Sequence, residues 1–170
     1  MNQSIKRLND LSALDATAEF LKCCGSTKWA RAMTEARPFA SEQELFAKAD
    51  HISSSMEDED WLEAFRAHPK IGEQKAAAAQ SHQEQKWSAQ EQSGVDAAPA
   101  DTISKLAERN REYEDSFGFI FIVCASGKSS DEMLAILNSR IDNDPQTELR
   151  IAGDEQRKIT RLRLEKLLNQ

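Results

Sequence analysis

Glycine, proline and aromatic residues are scarce in this chain. Its 170 residues include six glycines and four prolines, and aromatic residues make up 6% of the total. Strands are enriched in aromatic side chains and turns depend on glycine and proline, so the shortage favours helices over sheet. The length favours one domain, because domains of about 100–200 residues are the norm.

Cysteine is also rare, at positions 23, 24 and 124. An odd count with two adjacent residues suits neither a disulfide framework nor a zinc site, and it fits a reducing compartment. The chain has no His-x-x-x-His or His-Glu-x-x-His spacing, no glycine-rich phosphate loop and no Gly-x-Ser-x-Gly elbow. We therefore expect no metal ion.

Long apolar runs and an excess of basic residues are absent as well. No stretch approaches the roughly 18 apolar residues that a membrane span needs, and the N-terminus lacks the apolar core of a signal peptide. The net charge is −7, whereas nucleic-acid binding calls for a basic surface. We expect a cytoplasmic protein that binds neither membrane nor nucleic acid. An anionic ligand would need local cations or backbone donors to offset the negative field.

What the chain does contain is apolar residues at helical spacing, bounded by capping residues. The pattern predicts an all-α, single-domain bundle of about eight to nine helices spanning residues 1–170. Gly94–Ala100 is predicted as a loop. The predicted helices include segments over residues 4–11, 15–24, 26–36, 57–66, 73–85, 103–117 and 146–168.

Phe119–Ala125 departs from this pattern. It is a continuous apolar run rich in β-branched and aromatic residues, which alone is typical of a buried strand. Nothing else in the chain is a convincing partner strand, so we expect an extended buried segment between helices. Its buried amides and carbonyls need hydrogen-bond partners, and a ligand is one candidate. Cys124 within it is expected to be a small buried hydrophobe rather than a nucleophile.

His68 is the histidine whose setting favours chemistry. It follows a helix-like run, and Pro69 pushes it out of helical geometry. An imidazole titrates near neutral pH and can act as a general acid or base. The alternative, which this fragment alone favours, is a protonated ring near the last carbonyls of the helix. His51 and His82 lie in polar surroundings and are predicted to be on the surface.

The last predicted helix carries one arginine on its apolar face. Ile159, Arg163 and Leu167 are four residues apart and share a stripe, whereas Arg161 points away from it. A buried guanidinium needs a carboxylate or several carbonyls. Arg163 is therefore either part of an internal salt bridge or a fork for a polar ligand group.

Ser88, Glu91 and Gln92 share one face of a predicted helix, because they stand at positions i, i+3 and i+4. Ser88 and Glu91, coming after the apolar Trp87, also fit a capping box. Both roles are compatible, since Ser88 could cap a helix whose next residues point into a pocket.

Short motifs along nearly the whole chain share a specific order and spacing with one family, and the chain resembles the 2-oxo-4-hydroxy-4-carboxy-5-ureidoimidazoline (OHCU) decarboxylases. The motifs are Cys24-Gly25-Ser26, Trp29-Ala30, Arg37-Pro38-Phe39, His68-Pro69, Ile71-Gly72, Ser88, Glu91-Gln92, Asn110, Tyr113, Phe117-Gly118-Phe119, Phe121-Ile122-Val123-Cys124, Lys158-Ile159 and Leu162-Arg163-Leu164.

The resemblance implies an all-α fold, often dimeric, that works without cofactor or metal. It implies that the enzyme converts anionic OHCU to (S)-allantoin in urate catabolism. His68 would be the catalytic residue and Glu91 its catalytic partner. The implied substrate-binding residues are Pro69, Ser88, Gln92, Phe121, Ile122, Val123, Cys124, Ala125 and Arg163.

The chain departs from the family pattern at two places, both of which bear on substrate contacts only. Ile120 stands where many relatives have proline, and Lys70-Ile71 stands where many have an acidic residue and leucine. Two other classes of function stay open. One is a non-catalytic helical module that binds a ureide, and the other is an acidic helical interaction protein with no pocket.

Overall fold

Serine side chains set where five of the helices begin. The structure is a computed structural model that describes residues 3–71, 80–96 and 98–170. Five serines each accept a hydrogen bond from the backbone N–H three residues on, which satisfies one of the open donors of a helix start. They are Ser12, Ser26, Ser41, Ser81 and Ser129. At the last two serines, Glu84 and Glu132 return the bond and complete capping boxes.

The described residues form ten helices and no strand, which confirms the all-α prediction. Ser93–Asp96 forms a single helical turn that overlaps the predicted loop, so the described residues hold one helix more than the eight to nine predicted. Of the predicted helix over 73–85, residues 73–79 lie outside the described residues, and in the described part the helix begins only at His82. The helices are α1 Gln3–Asp10, α2 Ala13–Cys23, α3 Thr27–Glu35, α4 Glu42–Ser54, α5 Asp58–Arg66, α6 His82–Glu91, α7 Ser93–Asp96, α8 Ala100–Phe117, α9 Ser130–Arg140 and α10 Pro145–Leu168.

No helix in the part of the chain that the structure describes is both long enough and apolar enough to cross a membrane. The two longest, α8 and α10, carry charged residues throughout their length. Their buried residues recur at intervals of three or four, which places them on one side of each helix, as expected for helices that pack on a protein core.

The chain divides into two compact units. The N-terminal unit comprises the described residues up to Ala64 together with Arg157–Gln170. In its core, α2 packs on α3, and the ring of Phe20 meets those of Trp29 and Phe39 edge to face. The indole N–H of Trp29 donates to the Ser53 hydroxyl at 3.1 Å, so the buried ring has its polar partner.

The central unit comprises Phe65–Gln156, and its core lies where α8 packs on α9. Tyr113 is in ring contact with Phe117, Phe119 and Phe121. Gly118 ends α8 with a positive φ of 77°, a conformation that glycine adopts without strain, and so turns the chain into the apolar run. The first half of α10, up to Gln156, belongs to this unit.

Candidate active site

His68 lies in the turn that follows α5. Its backbone N–H donates to the carbonyl of Phe65 at 3.1 Å, and its half-buried ring stands beside the half-buried Pro69. The ring Nε2 lies 2.6 Å from the amide oxygen of Gln156, a side chain on α10 with no exposed surface. The imidazole is therefore fixed by a side chain 88 residues away in sequence.

Gln80 ties the turn before His68 to α6. Its side-chain amide donates to the carbonyl of Ala67 at 3.0 Å and to the hydroxyl of Ser88 at 3.2 Å. Its other amide atom, Oε1, is the one buried side-chain polar atom within residues 3–71, 80–96 and 98–170 that has no hydrogen-bond partner. The Gln80 amide thus leaves a buried acceptor close to His68 and Ser88.

Helix α6 carries two of the three polar residues that were predicted to share a face, and the third, Gln92, caps its end. Ser88 and Glu91 are buried, and Gln92 is the half-buried residue that ends the helix by donating its N–H to the Ser88 carbonyl. The prediction of a capping box at Ser88 was wrong. The helix already begins at His82 behind the Ser81–Glu84 box, so Ser88 lies inside it and its hydroxyl bonds Gln80 instead.

The apolar run is non-helical, as predicted, and the described residues contain no strand to pair with it; Phe121–Ala125 are all buried. Charged side chains bond three of its backbone groups. The Cys124 N–H donates to Glu155 at 2.7 Å, the Ile122 carbonyl accepts from Arg140 at 2.8 Å, and the Cys124 carbonyl accepts from Lys128 at 2.7 Å. A ligand was one candidate partner for the buried backbone of this segment. At these three groups, a side chain of the protein is the partner instead.

A buried ion pair contacts this segment. The guanidinium of Arg140 pairs with the carboxylate of Glu148 and stands 4.8 Å from the centre of the Phe121 ring. The hydroxyl of Tyr113 and the amide of Asn143 donate to the same carboxylate. Burial and the bond to Glu148 raise the pKa of Tyr113, so its hydroxyl stays protonated as a donor.

The thiol of Cys124 is kept neutral by its surroundings. Burial raises its pKa, Glu155 and Glu91 add to the effect, and Lys128 opposes it. The thiolate is the nucleophilic form of cysteine, so this environment agrees with the prediction of a small buried hydrophobe.

Hydrogen bonds connect three predicted site residues, Cys124, His68 and Ser88, in one circuit within the central unit. His68 bonds Gln156, whose neighbour Glu155 bonds Cys124. Ser88 is tied through Gln80 to the residue before His68, and the buried Glu91 lies one turn after Ser88 on α6. The circuit connects an imidazole and a hydroxyl to a non-helical stretch of backbone, and the Glu91 carboxylate is on the same helix as the hydroxyl. That combination suits proton transfer to and from a small polar ligand.

Arg163 is in the N-terminal unit, and it faces inward as predicted. Its side chain is buried and donates to the carbonyl of Lys22 at 3.2 Å. It lies near Cys23 and Cys24. Burial raises the pKa of both thiols, and the positive charge of Arg163 reduces that increase. Arg161 is exposed, stacks on Phe46 and pairs with Glu165 at 3.5 Å. The prediction that these two arginines face opposite ways is confirmed.

Several residues of the circuit were not singled out by sequence reasoning. Gln156 lies seven residues before Arg163 and falls on the same helical stripe, so periodicity could have identified it as inward-facing. Glu155 and Gln80 gave no such signal, because their partners are fixed only by the fold. His51 and His82, the other two histidines of the chain, are exposed as predicted.

Within the described ranges, no group of three or more His, Cys, Asp or Glu side chains is arranged to hold a metal ion. The His68 ring contacts the neutral amide oxygen of Gln156, a group suited to hydrogen bonding.

The chain matches a known family over nearly its whole length. The sequence model of the family described as OHCU decarboxylase matches residues 9–165. A Haloferax volcanii protein named 2-oxo-4-hydroxy-4-carboxy-5-ureidoimidazoline decarboxylase is 31% identical over 95% of this chain and 92% of its own length. The Arabidopsis thaliana uric acid degradation bifunctional protein TTL is 38% identical over 89% of this chain.

Some of these relatives are much longer than the chain, which spans 47% of the Arabidopsis protein and 32% of a uric acid degradation bifunctional protein from Bacillus sp. strain TB-90. Among solved structures, a crystal structure of OHCU decarboxylase in the presence of (S)-allantoin superposes with a TM-score of 0.77 at 41% identity. That match covers 89% of this chain and 98% of the other.

Proposed function

The chain belongs to the OHCU decarboxylase family, and we propose that it decarboxylates 2-oxo-4-hydroxy-4-carboxy-5-ureidoimidazoline to (S)-allantoin in urate catabolism. The observation that carries the proposal is the bond that fixes the His68 ring to Gln156 at 2.6 Å, in the same compact unit as the buried Glu91. The similarity to a decarboxylase crystallised with (S)-allantoin supports the same substrate class.

The substrate carries its own electron sink, so the reaction has no need of an external one. Its carboxylate and hydroxyl share one ring carbon, next to the C=N carbon that bears the ureido group. When the bond to the carboxylate breaks, its electron pair forms a C=C bond and the C=N pair moves to nitrogen, which takes a proton. The enol O–H then loses its proton to a base, the carbonyl forms, and the ureido-bearing carbon takes a proton.

His68 is the residue that we assign to this last exchange, as the base for the enol proton and the acid for the carbon. Positioned acid–base groups of this kind contribute about 10²–10⁴-fold to a rate. Glu91 would hold the ring nitrogens or orient the imidazole. Delivery of the proton to one face of the carbon sets the (S) configuration.

The remaining residues are assigned to binding. Backbone groups of the extended segment, such as those bonded to neither Glu155, Arg140 nor Lys128, would hold the ring and ureido groups. Arg163 would offset the negative charge of both ligand and protein, as the family resemblance implies. The proposed binding residues are Pro69, Ser88, Gln92, Phe121, Ile122, Val123, Cys124, Ala125 and Arg163.

The proposal extends to how the protein occurs. Residues 1–170 would act as one OHCU decarboxylase-like domain in a homodimer, in the cytoplasm, where the three buried cysteines stay reduced. Sedimentation analysis tests the dimer, which requires a mass about twice the 19.1 kDa of the chain.

The test of the reaction replaces His68 by alanine and follows (S)-allantoin by circular dichroism after urate oxidation generates fresh OHCU. We expect the rate to fall by about 10²–10⁴-fold toward the uncatalysed level. His82→Ala, an exposed histidine on α6, is the matched control and should keep the wild-type rate. A wild-type rate in His68→Ala would remove the imidazole from the mechanism.

The same assay separates the alternative of a non-catalytic ureide-binding module. Such a module would bind allantoin in calorimetry, yet the dichroic signal would develop at the same rate with and without the protein. An interaction protein without a pocket would show neither effect.

A further inference from the structure

Gln156 is the side chain that holds the imidazole of His68. It lies on the half of α10 that belongs to the central unit and has no exposed surface. Its amide oxygen is 2.6 Å from Nε2 of the ring. Burying an amide is unfavourable unless it is hydrogen-bonded, so this contact fixes the orientation of both groups.

The contact also fixes where the imidazole carries its hydrogen. An amide oxygen can only accept, so Nε2 must donate a hydrogen to it, and in a neutral ring the other nitrogen then bears a lone pair. We propose that Gln156 is a positioning residue that holds His68 in the Nε2–H tautomer, so that Nδ1 is the atom that exchanges a proton with the substrate. This inference rests on the proposed function.

The position of Gln156 in the helix ties the imidazole to the substrate-binding backbone. The preceding residue, Glu155, accepts the Cys124 N–H at 2.7 Å. Two consecutive residues of α10 therefore hold the base and the extended segment, and the rigid helix fixes the spacing of their backbones. This arrangement sets the geometry of the site before any ligand arrives.

A single nitrogen is sufficient for the proton exchange. The lone pair of Nδ1 takes the proton of the enol O–H, and the oxygen pair forms the carbonyl while the C=C pair moves to the ureido-bearing carbon. The imidazolium then returns the same proton from Nδ1 to that carbon, which restores the neutral ring. Nε2–H stays bonded to Gln156 throughout, and the positive charge of the intermediate is stabilised by the amide oxygen.

The tautomer can be measured directly by ¹⁵N NMR on histidine-labelled protein. The chain has three histidines, so the spectrum holds three rings, and the His68 signals are those missing from His68→Ala. At a pH where the ring is neutral, we expect the nitrogen pattern of a protonated Nε2 and an unprotonated Nδ1. A hydrogen on Nδ1 in the wild-type protein would overturn the inference without any variant.

Two substitutions at Gln156 test the role of the acceptor. Gln156→Met keeps the length of the side chain and removes the acceptor, so the His68 signals should shift toward a mixture of tautomers. We expect kcat to fall by about tenfold or more, within the roughly 10²–10⁴-fold that acid–base catalysis supplies, while KM changes less than about threefold. An unchanged tautomer, or a loss that falls on KM alone, would contradict the positioning role.

Gln156→Glu restores an acceptor of the same shape and adds a charge beside the ring. It should keep the Nε2–H pattern and move the midpoint of the His68 NMR titration upward, because a carboxylate favours the imidazolium. Lys158→Gln changes the net charge by the same amount at an exposed position of α10 and should leave that midpoint in place. Equal midpoints in the two variants would count against a direct contact.

The NMR readout distinguishes this inference from the proposed function. A wild-type protein that forms no allantoin would overturn the function and with it the substrate role of Nδ1. If the wild-type protein is active and the His68 tautomer is the same in Gln156→Met, the inference alone is overturned. If Gln156→Met loses its helical dichroism, the wild-type tautomer and the Gln156→Glu titration still decide the question.

Discussion

At the scale of single residues, Arg161 and Arg163 show how position alone separates two chemically identical side chains. Arg163 is buried and bonds the Lys22 carbonyl, whereas Arg161 is exposed and bonds Glu165. Helical periodicity predicts this difference, since two residues on a helix are about 200° apart. The facing of a side chain is thus a local property that the sequence contains.

The different environments predict different costs of substitution. Arg163→Lys keeps the charge but loses the planar fork, so one or more buried groups lose their partner, at about 1–3 kcal/mol of unfolding free energy. We also expect slower (S)-allantoin formation, since Arg163 is assigned to substrate binding. Arg161→Lys is the matched control and should change stability by less than about 0.5 kcal/mol. Urea denaturation of both variants measures this, and an equal loss in both would contradict the buried role of Arg163.

The bond between His68 and Gln156 could not be predicted in the same way. Periodicity indicates that Gln156 faces inward, yet it does not say which of the inward groups it meets, because the partner is 88 residues away. The family resemblance singled out His68 and Ser88 but gave no reason for their orientation. That reason is in the amides of Gln80 and Gln156, whose contacts exist only once the helices have packed.

At the scale of elements, the extended segment is where the sequence was most informative and also least complete. An apolar run without a partner strand predicts a buried, non-helical stretch, which the structure confirms for Phe121–Ala125. The sequence does not predict that side chains rather than strands satisfy its backbone. Arg140 and Glu155 come from separate helices, and Arg140 resembles an ordinary solvated residue near the end of its helix.

The Arg140–Glu148 pair is the element-level contact with the largest expected effect on stability. Both side chains are buried, and the guanidinium bonds the Ile122 carbonyl. Glu148→Gln keeps the shape but leaves the Arg140 charge without its carboxylate. Breaking a buried pair from one side costs about 3–5 kcal/mol, so we expect a loss of this size in chemical denaturation.

The matched control for this prediction is Glu112→Gln on α8, which breaks the exposed ion pair with Arg109. Exposed pairs contribute about 0–1 kcal/mol, so this variant should unfold close to the wild type. If Glu148→Gln were no more destabilising than Glu112→Gln, the segment would not depend on the buried pair for its support.

At the scale of the whole molecule, composition predicts the fold class because it reflects an average over many residues. Scarce glycine, proline and aromatic residues indicated helices, and ten are present among the described residues. Composition does not predict the division into two compact units. Their boundaries, after Ala64 and after Gln156, fall inside α5 and α10, where there is no change in composition or turn signal to detect.

The buried acidic groups of both units predict how the molecule responds to alkaline pH. Burial raises the pKa of the Cys24 thiol from its ordinary 9.0 to about 11, and it raises those of Cys23, Cys124 and Tyr113 as well. These groups stay protonated in the folded chain at a pH where the unfolded chain has lost their protons. The stability that these protonated groups contribute is fully present below about pH 9. It is lost as the pH rises through the pKa values of the folded chain.

The expected loss is about 1.4 kcal/mol of unfolding free energy per pH unit for each such group, on top of the growing repulsion in a chain whose net charge is already −7. Denaturation in urea with a reductant, from pH 7.5 to 10.5, measures the slope. Cys24→Ala removes one titrating group and should flatten the slope above pH 9. Its stability deficit at pH 7.5, where the thiol is neutral in both states, isolates the packing loss. A slope equal to that of the wild type would show that some other group, and not this thiol, limits the alkaline stability of the fold.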